Sequence, residues 1–358
     1  MTYIPEELKV PGYEKVLYFE NSSVGLRSII AIHSTALGPA CGGIRVLPYP
    51  TKEAALDDVL RLAKGMSYKS AVAGIGFGGG KSVIILDPTK KRPEIFHAFG
   101  EFVNMLNGRY ISAKDMNVSS PDLLEVKKTT RHVLGIEGVP GSSGDPSPVT
   151  ARGTFRALQA TLEEIAGSRC FTAKKFAIQG LGHVGWDIAE MLVREGAKLW
   201  VTDINPSALR RAETQLGAKA VPGDQIYEIE CDVFVPCAVG AILNSSTIPR
   251  LRCKAVVGCA NNQLATDADG MRLNQRGILY APDFAVNSGG IINIFIEYEG
   301  YDQSKALQKA DAIYDTMKEI YGRAKKEQLL PVAIANQIAE ERLAGRKGYP
   351  KTCSAMIK

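Results

Sequence analysis

Apolar residues follow two different rhythms along this chain, and the change of rhythm divides it. In the first third, short apolar runs alternate with amphipathic helical stretches. One helix is predicted from Thr51, a suitable N-cap, with Glu53 in its first turn and Leu56, Val59, Leu60, Ala63 and Met66 on one face. It is expected to deliver Lys69 just beyond its end. A second helix opens at Pro93, carries Phe96, Phe99, Val103 and Leu106, and is expected to stop at Gly108. Between them Val83-Ile84-Ile85-Leu86 reads as a buried strand closed by Asp87-Pro88. Tyr110–Ala113 reads as another, with Asp115 just past its C-terminal end, where open α/β sheets present functional groups.

The turn-rich stretch Gly141–Pro148 is the best domain boundary, with a helix expected from about Val149. Beyond it strands and helices alternate strictly. Lys175–Gln179 is a strand, a helix runs through Arg194, and Lys198–Asp203 is the next strand; further strands are Asp232–Pro236, Lys254–Val257 and Ile278–Tyr280. These last three lead to Cys237-Ala238, Asn261-Asn262 and Asn287-Ser288-Gly289-Gly290, consistent with one crevice being lined. Turn asparagines explain any one of them equally well. From about Ser304 the chain reads as helical to its end, with Leu307, Ala310, Ile313, Tyr314, Met317, Ile320 and Tyr321 as an apolar stripe.

The expected fold is therefore α/β in two domains, as suits 358 residues. An N-terminal α/β domain covers 1–147 and is rejoined by a C-terminal helix at about 327–358. A Rossmann domain covers 148–326, with a cleft between the two. A formal charge of +5, with basic and acidic residues interspersed, argues against a nucleic acid partner. Seven cysteines with no C-x-x-C pair fit a reducing compartment. The start resembles no signal peptide and no apolar stretch approaches membrane-spanning length, so a cytoplasmic location is expected. The four histidines show no metal-ligand spacing, and no metal is expected.

Two segments carry candidate chemistry. Lys69 and Lys81 flank a run containing Gly74, Gly76, Gly78, Gly79 and Gly80. A phosphate-binding P-loop anchored on Gly80-Lys81-Ser82 needs its first glycine at Ile75 and a helix afterwards, and both requirements fail. A glycine loop for close ligand approach remains, with an amine at each end: one lysine suits a carboxylate clamp, the other a base. A lysine base works in its neutral form, which burial and a second cation favour. Two solvated surface lysines are the plain alternative. The second segment, Gly180-Leu181-Gly182-His183-Val184-Gly185, lies between a strand and a helix, with Asp203 closing the next strand: the full dinucleotide fingerprint. Asp203 followed by Ile204 and Asn205, with no arginine beside it, favours NAD over NADP.

Over nearly its whole length the chain resembles the amino acid dehydrogenases acting on glutamate, leucine, phenylalanine and valine, leucine dehydrogenase most of all. The resemblance rests on Gly38-Pro39-Ala40-Cys41-Gly42-Gly43-Ile44-Arg45, the Lys69–Lys81 segment, the fingerprint and Asn287–Gly290. It implies that the N-terminal domain is a substrate and oligomerisation domain, that Lys69 binds the substrate carboxylate, that Lys81 is the catalytic base and that Asp115 moves protons at the amine. Gly42 and Gly43 would meet substrate through their backbone, Asn261 and Asn287 would lie near nicotinamide and substrate, and Ser147, Thr150 and Ala238 would contact the cofactor. The implied reaction takes hydride from the amino acid α-carbon, after which water attacks the iminium and ammonia leaves a 2-oxo acid.

Pocket walls by similarity are Cys41, Met66, Ala113, Ile291 and Ile294. Glutamate enzymes carry lysine where this chain has Cys41, and a neutral thiol cannot compensate a buried carboxylate. The expectation is a homo-oligomeric, NAD-dependent enzyme for leucine, isoleucine and valine. The alternatives are an aromatic amino acid dehydrogenase and a non-catalytic NAD-binding relative. The segment Lys114-Asp115-Met116-Asn117 departs from the Glu-Asp-Val-Gly common in leucine dehydrogenases, and Lys114 is expected to add a cation beside the acid or to alter an interface.

Overall fold

Strands β1 (Glu6–Glu7), β2 (Lys15–Asn21), β3 (Leu26–Ser34), β4 (Ala40–Leu47), β5 (Gly78–Ile85) and β6 (Tyr110–Lys114) form one mixed sheet in the order β1-β2-β3-β5-β4-β6. The computed structural model describes residues 4–345. Within this sheet β2, β3 and β5 run antiparallel to their neighbours in turn, while β5, β4 and β6 are mutually parallel. Helix α1 (Lys52–Val72) covers one face, where Ala55, Val59 and Ala63 meet Ile29, Ala31, Val83 and Ile85. Helices α2 (Pro93–Asn104) and α3 (Ser120–Lys127) close the other, around Phe96, Phe99, Phe102, Ile44, Ile84 and Tyr110. Alternating inward residues on both faces explain why β5 is buried throughout.

Thr51 caps α1 by accepting from the Ala54 N–H at 3.1 Å. Three local expectations need correction. Lys69 lies inside the last turn of α1, not beyond it, because the helix runs on to Val72 and its C-cap is Ala73. Helix α2 ends at Asn104 rather than Gly108, as the chain turns through Asn107 (φ 47°) and Gly108 (φ 79°). The glycine run is no loop: Gly78, Gly79 and Gly80 are the buried first residues of β5.

The second sheet contains β7 (Lys175–Gln179), β8 (Lys198–Thr202), β9 (Lys219–Ala220), β10 (Cys231–Pro236), β11 (Cys253–Val256) and β12 (Leu279–Tyr280). All pairs are parallel and the order is β9-β8-β7-β10-β11-β12, the Rossmann arrangement with its switch point between β7 and β10. Its helices are α4 (Ser147–Ala166), α5 (His183–Arg194), α6 (Pro206–Leu216), α7 (Asp267–Gln275) and α8 (Asp283–Val286). Helix α4 starts two residues before the expected Val149, with Pro148 in its first turn.

The terminal region is three helices after α9 (Gly289–Tyr298): α10 (Gln303–Asp311), α11 (Ile313–Glu327) and α12 (Pro331–Ala344). A left-handed Gln328 (φ 57°) ends α11 and separates it from α12, in keeping with a terminal helix pair. Of the helix expected over about 327–358, residues 346–358 lie outside the described residues. The chain groups into two units. One holds the residues up to Asp145, Ile294–Asp302 and the chain from Ile338; the other holds Pro146–Asn293 and Gln303–Gln337. Within the first unit, Arg342 donates to the carbonyls of Ala71 and Val72 at 3.0 and 2.9 Å, satisfying the C-terminal end of α1. No helix among the described residues is long and apolar enough to cross a membrane.

Candidate active site

Strand alternation gathers Cys41, Gly43, Lys81, Ala113 and Asp115 of the first unit onto one face. Cys41, Gly43 and Arg45 alternate on β4, Gly79 and Lys81 on β5, and Ala113 on β6 with Asp115 following, in parallel register that pairs Cys41 with Gly79 and Gly43 with Ala113. This is the face that α1 covers. Glycine is demanded there by packing. A Cβ on Gly79 would lie 2.1 Å from the Ser67 backbone nitrogen, and one on Gly43 would lie 2.5 Å from the Asp115 Cβ. On the opposite face a Cβ on Gly42 would lie 1.8 Å from the Gly80 carbonyl oxygen, and the Gly42 carbonyl accepts the buried Tyr110 hydroxyl at 2.7 Å. Gly79 thus lets α1 lie directly on β5, and Gly78–Gly80 sit within the strand rather than in a loop open to ligand as expected from sequence.

Lys81 is 6% exposed, and its Nζ lies 2.8 Å from Asp115 Oδ2. Arg45 Nε meets the same oxygen at 3.0 Å, and Arg45 Nη1 reaches Asp58 Oδ2 at 3.2 Å, which also accepts the Tyr49 hydroxyl at 2.6 Å. Burial raises the Asp115 carboxyl, but Lys81 and Arg45 more than offset it and hold it below the usual carboxylate range. Lys114 plays no such part: its amine turns to Glu137 at 2.9 Å. Asn117 adopts φ 60°, a conformation asparagine tolerates as glycine does, and donates to the Val46 carbonyl at 2.9 Å.

The depressed Asp115 value fixes a pH dependence. The ion pairs contribute their full stability above the unfolded value, about pH 4, and lose it as pH falls through the lower folded value. Acid denaturation followed by circular dichroism is expected to show Asp115→Asn losing less stability than the parent across that window.

Sequence reasoning found Lys81 and Asp115 but assigned no role to Arg45, Asp58, Tyr49 or Tyr110. The period of two was the available signal for Arg45, since it places Arg45 on the face of Gly43, beside the strand end that carries Asp115. Cys41 is wholly buried, and burial pushes its thiol up to about 12, with Lys81 pulling weakly the other way. Ala113 is 7% exposed, whereas Met66 and Lys69 on α1 are half-buried. Ile294 is half-buried on α9, near enough to Gly135 that a Cβ there would meet its Cδ1 at 2.7 Å.

The second unit places the other candidates at the carboxyl ends of its strands. Gly180 (φ 100°) makes the turn after β7; a Cβ there would lie 2.8 Å from the Cβ of Ala238, across the switch point at the end of β10. A Cβ on Gly185 would lie 2.1 Å from the Gly180 carbonyl oxygen. Gly182 instead faces open space and forms the N-cap of α5, leaving its first-turn N–H groups uncovered by any cap side chain. That end, carrying His183 and Val184, suits a pyrophosphate. Leu181 donates its N–H to Asp203 Oδ2 at 2.6 Å, and Asn205 donates to Oδ1 at 2.7 Å, so the acid is tied to the turn and stands beside the fully exposed Ile204.

Asn287 donates to Asn261 Oδ1 at 2.9 Å and to the Cys259 carbonyl at 3.1 Å, while its own Oδ1 is buried without a hydrogen-bond partner, an acceptor suited to a ligand amide. Thr150 donates to the Pro146 carbonyl at 2.9 Å and abuts Gly289, whose Cβ would lie 2.5 Å from the Thr150 Cα. Ser147 and Ile291 are buried on α4 and α9. Among the described residues no group of three His, Cys, Asp or Glu side chains is placed to hold a metal.

Comparison with known proteins accords with these features. The family model described as Glu/Leu/Phe/Val dehydrogenase, dimerisation domain, matches residues 16–132, and that described as Glutamate/Leucine/Phenylalanine/Valine dehydrogenase matches residues 201–347. Leucine dehydrogenase of Bacillus cereus is 44% identical, covering 97% of this chain and 95% of its own. Phenylalanine dehydrogenase of Caldalkalibacillus thermarum is 46% identical, over 94% and 93% respectively. The crystal structure of L-tryptophan dehydrogenase from Nostoc punctiforme is 39% identical with a TM-score of 0.86, covering 93% of this chain and 96% of that one. The chain belongs to the Glu/Leu/Phe/Val dehydrogenase family and is an amino acid dehydrogenase, an oxidoreductase.

Proposed function

We propose that this enzyme catalyses reversible, NAD-dependent oxidative deamination of leucine, isoleucine and valine. The observation that carries the substrate choice is Cys41, a wholly buried neutral thiol on the face that bears Lys81 and Asp115. A carboxylate side chain brought there would lose its hydration beside a lysine already paired with Asp115. Ala113 and the isoleucines at 291 and 294 add apolar walls for a branched aliphatic side chain, with overlap among substrates because one methylene is worth only about 1 to 3 kcal/mol.

NAD, when bound, supplies the hydride acceptor. Gly180–Gly185 and the N-terminus of α5 would hold its pyrophosphate, and Asp203 its ribose hydroxyls, while repelling a 2′-phosphate. Ser147, Thr150, Ala238, Asn261 and Asn287 would line the rest. Lys69 would clamp the substrate carboxylate. Lys81 would take the proton of the water that attacks the iminium carbon, and Asp115 would exchange the proton of the departing amine. The dimerisation-domain description of residues 16–132 supports self-association into a homo-oligomer.

Incubation with leucine and NAD at mildly alkaline pH should yield NADH and ammonia in equal amounts, with NADP a poorer acceptor. Absence of NADH from every branched aliphatic amino acid would sink the proposal. A second reading, aromatic amino acids, is favoured by the likeness to the phenylalanine and tryptophan enzymes; it gains if phenylalanine or tryptophan outruns leucine.

A further inference from the structure

Both cations that meet Asp115 do so at one oxygen. Lys81 Nζ and Arg45 Nε approach Oδ2 at 2.8 and 3.0 Å, and among the described residues no side chain or backbone group bonds Oδ1. Arg45 is itself fixed. Its Nη1 reaches Asp58 Oδ2 at 3.2 Å, the same oxygen takes the Tyr49 hydroxyl at 2.6 Å, and Asp58 Oδ1 takes Arg61 at 2.7 Å. Arg45 and Asp58 are only about 15% exposed, so solvent screens these charges weakly.

The geometry points to Arg45 as a positioning residue for the deamination reaction. With Lys81 it claims Asp115 Oδ2 and so presents Oδ1, ionised, to the substrate amine. The inference rests on the proposed reading of Asp115 as the group that exchanges the amine proton. Arg45 does not touch substrate; it acts through Asp115. A lone lysine on Oδ2 would let the carboxylate rotate and exchange its oxygens, whereas a guanidinium anchored at Asp58 fixes one oxygen and leaves the other as the proton acceptor. The charged and titratable groups around Asp115 are Lys81 from β5, Arg45 from β4, and Asp58, Tyr49 and Arg61 behind Arg45. Cys41 and Tyr110, the other titratable neighbours, are buried and neutral. Lys114 is turned away to Glu137.

The test compares the parent with Arg45→Met, Arg45→Lys and Asp58→Asn. For leucine, Arg45→Met is expected to lower kcat about tenfold or more at neutral pH, with KM changed less than about threefold. The acid limb of the kcat profile should move about one pH unit upward or more, because removal of the cation favours the protonated acid. Arg45→Lys should return the limb most of the way, and Asp58→Asn, which releases the anchor of Arg45, should shift it in the same direction by less. Carbon NMR of isotope-labelled aspartate follows the titration of Asp115 directly and is read even in a protein that turns over no amino acid, which separates failure of this inference from failure of the proposed reaction. A folded Arg45→Met with the acid limb and the Asp115 titration where the parent has them overturns the inference. If Arg45→Met does not fold, an unmoved titration in Asp58→Asn does the same.

Discussion

Replacing Lys81 with alanine is expected to lower kcat for leucine oxidation by about 10²- to 10⁴-fold, the range a positioned general base contributes. Lys81 is buried on β5 among groups that leave its amine directed at Asp115, 2.8 Å away. Alanine removes that amine and little else from the strand, since Arg45 still meets Asp115 Oδ2 at 3.0 Å and keeps the carboxylate paired. The Gly180–Gly185 turn is built on its own strand, helix and acid, so NAD affinity measured by fluorescence titration should be unchanged. A structural ion pair alone would give the opposite pattern, with thermal stability reduced and kcat altered only severalfold.

The second large effect concerns stability. Gly79→Ala should destabilise the enzyme by about 3 kcal/mol or more, or prevent its folding, because the new Cβ would sit 2.1 Å from both the backbone nitrogen and the hydroxyl oxygen of Ser67. The backbone of α1 cannot yield without lifting the helix from β5, where Ser67 is wholly buried. Gly65, in the same helix, is exposed, and a Cβ there meets nothing within 4 Å. Gly65→Ala should therefore stabilise by about 0.5 to 1 kcal/mol through helix propensity. Urea unfolding of the two variants separates a packing requirement from a general intolerance of change in this segment. Equal behaviour of the two would contradict the packing account.

That contrast also shows what was legible in the sequence. The Rossmann sheet could be read because its signals are local: apolar strands such as Phe176–Ile178, a glycine turn before α5, and an acid ending the next strand. Asp115 was legible for the same reason, as a polar residue just past an apolar run. The glycine run hides its strand because Gly78–Gly80 lack the side chains that mark one. Their partners, Ser34, Ser67 and Tyr110, lie 12 to 44 positions away in the chain, and no periodicity announces them. Arg45 and Asp115 are 70 residues apart and meet only because β4 and β6 pair in parallel. Lys114 stood next to the acid in sequence and was expected to act on it, yet strand alternation sends neighbouring side chains to opposite faces.

The proposed preference for branched aliphatic amino acids rests on a buried neutral Cys41 beside the Lys81–Asp115 pair. Its most direct test is kcat/KM with NAD for leucine, isoleucine, valine, phenylalanine, tryptophan and glutamate, measured on the same preparation. The three branched substrates are expected to lead, with glutamate turned over poorly or not at all. Glutamate at or above leucine would contradict the role given to Cys41, and phenylalanine or tryptophan in the lead would contradict the aliphatic pocket.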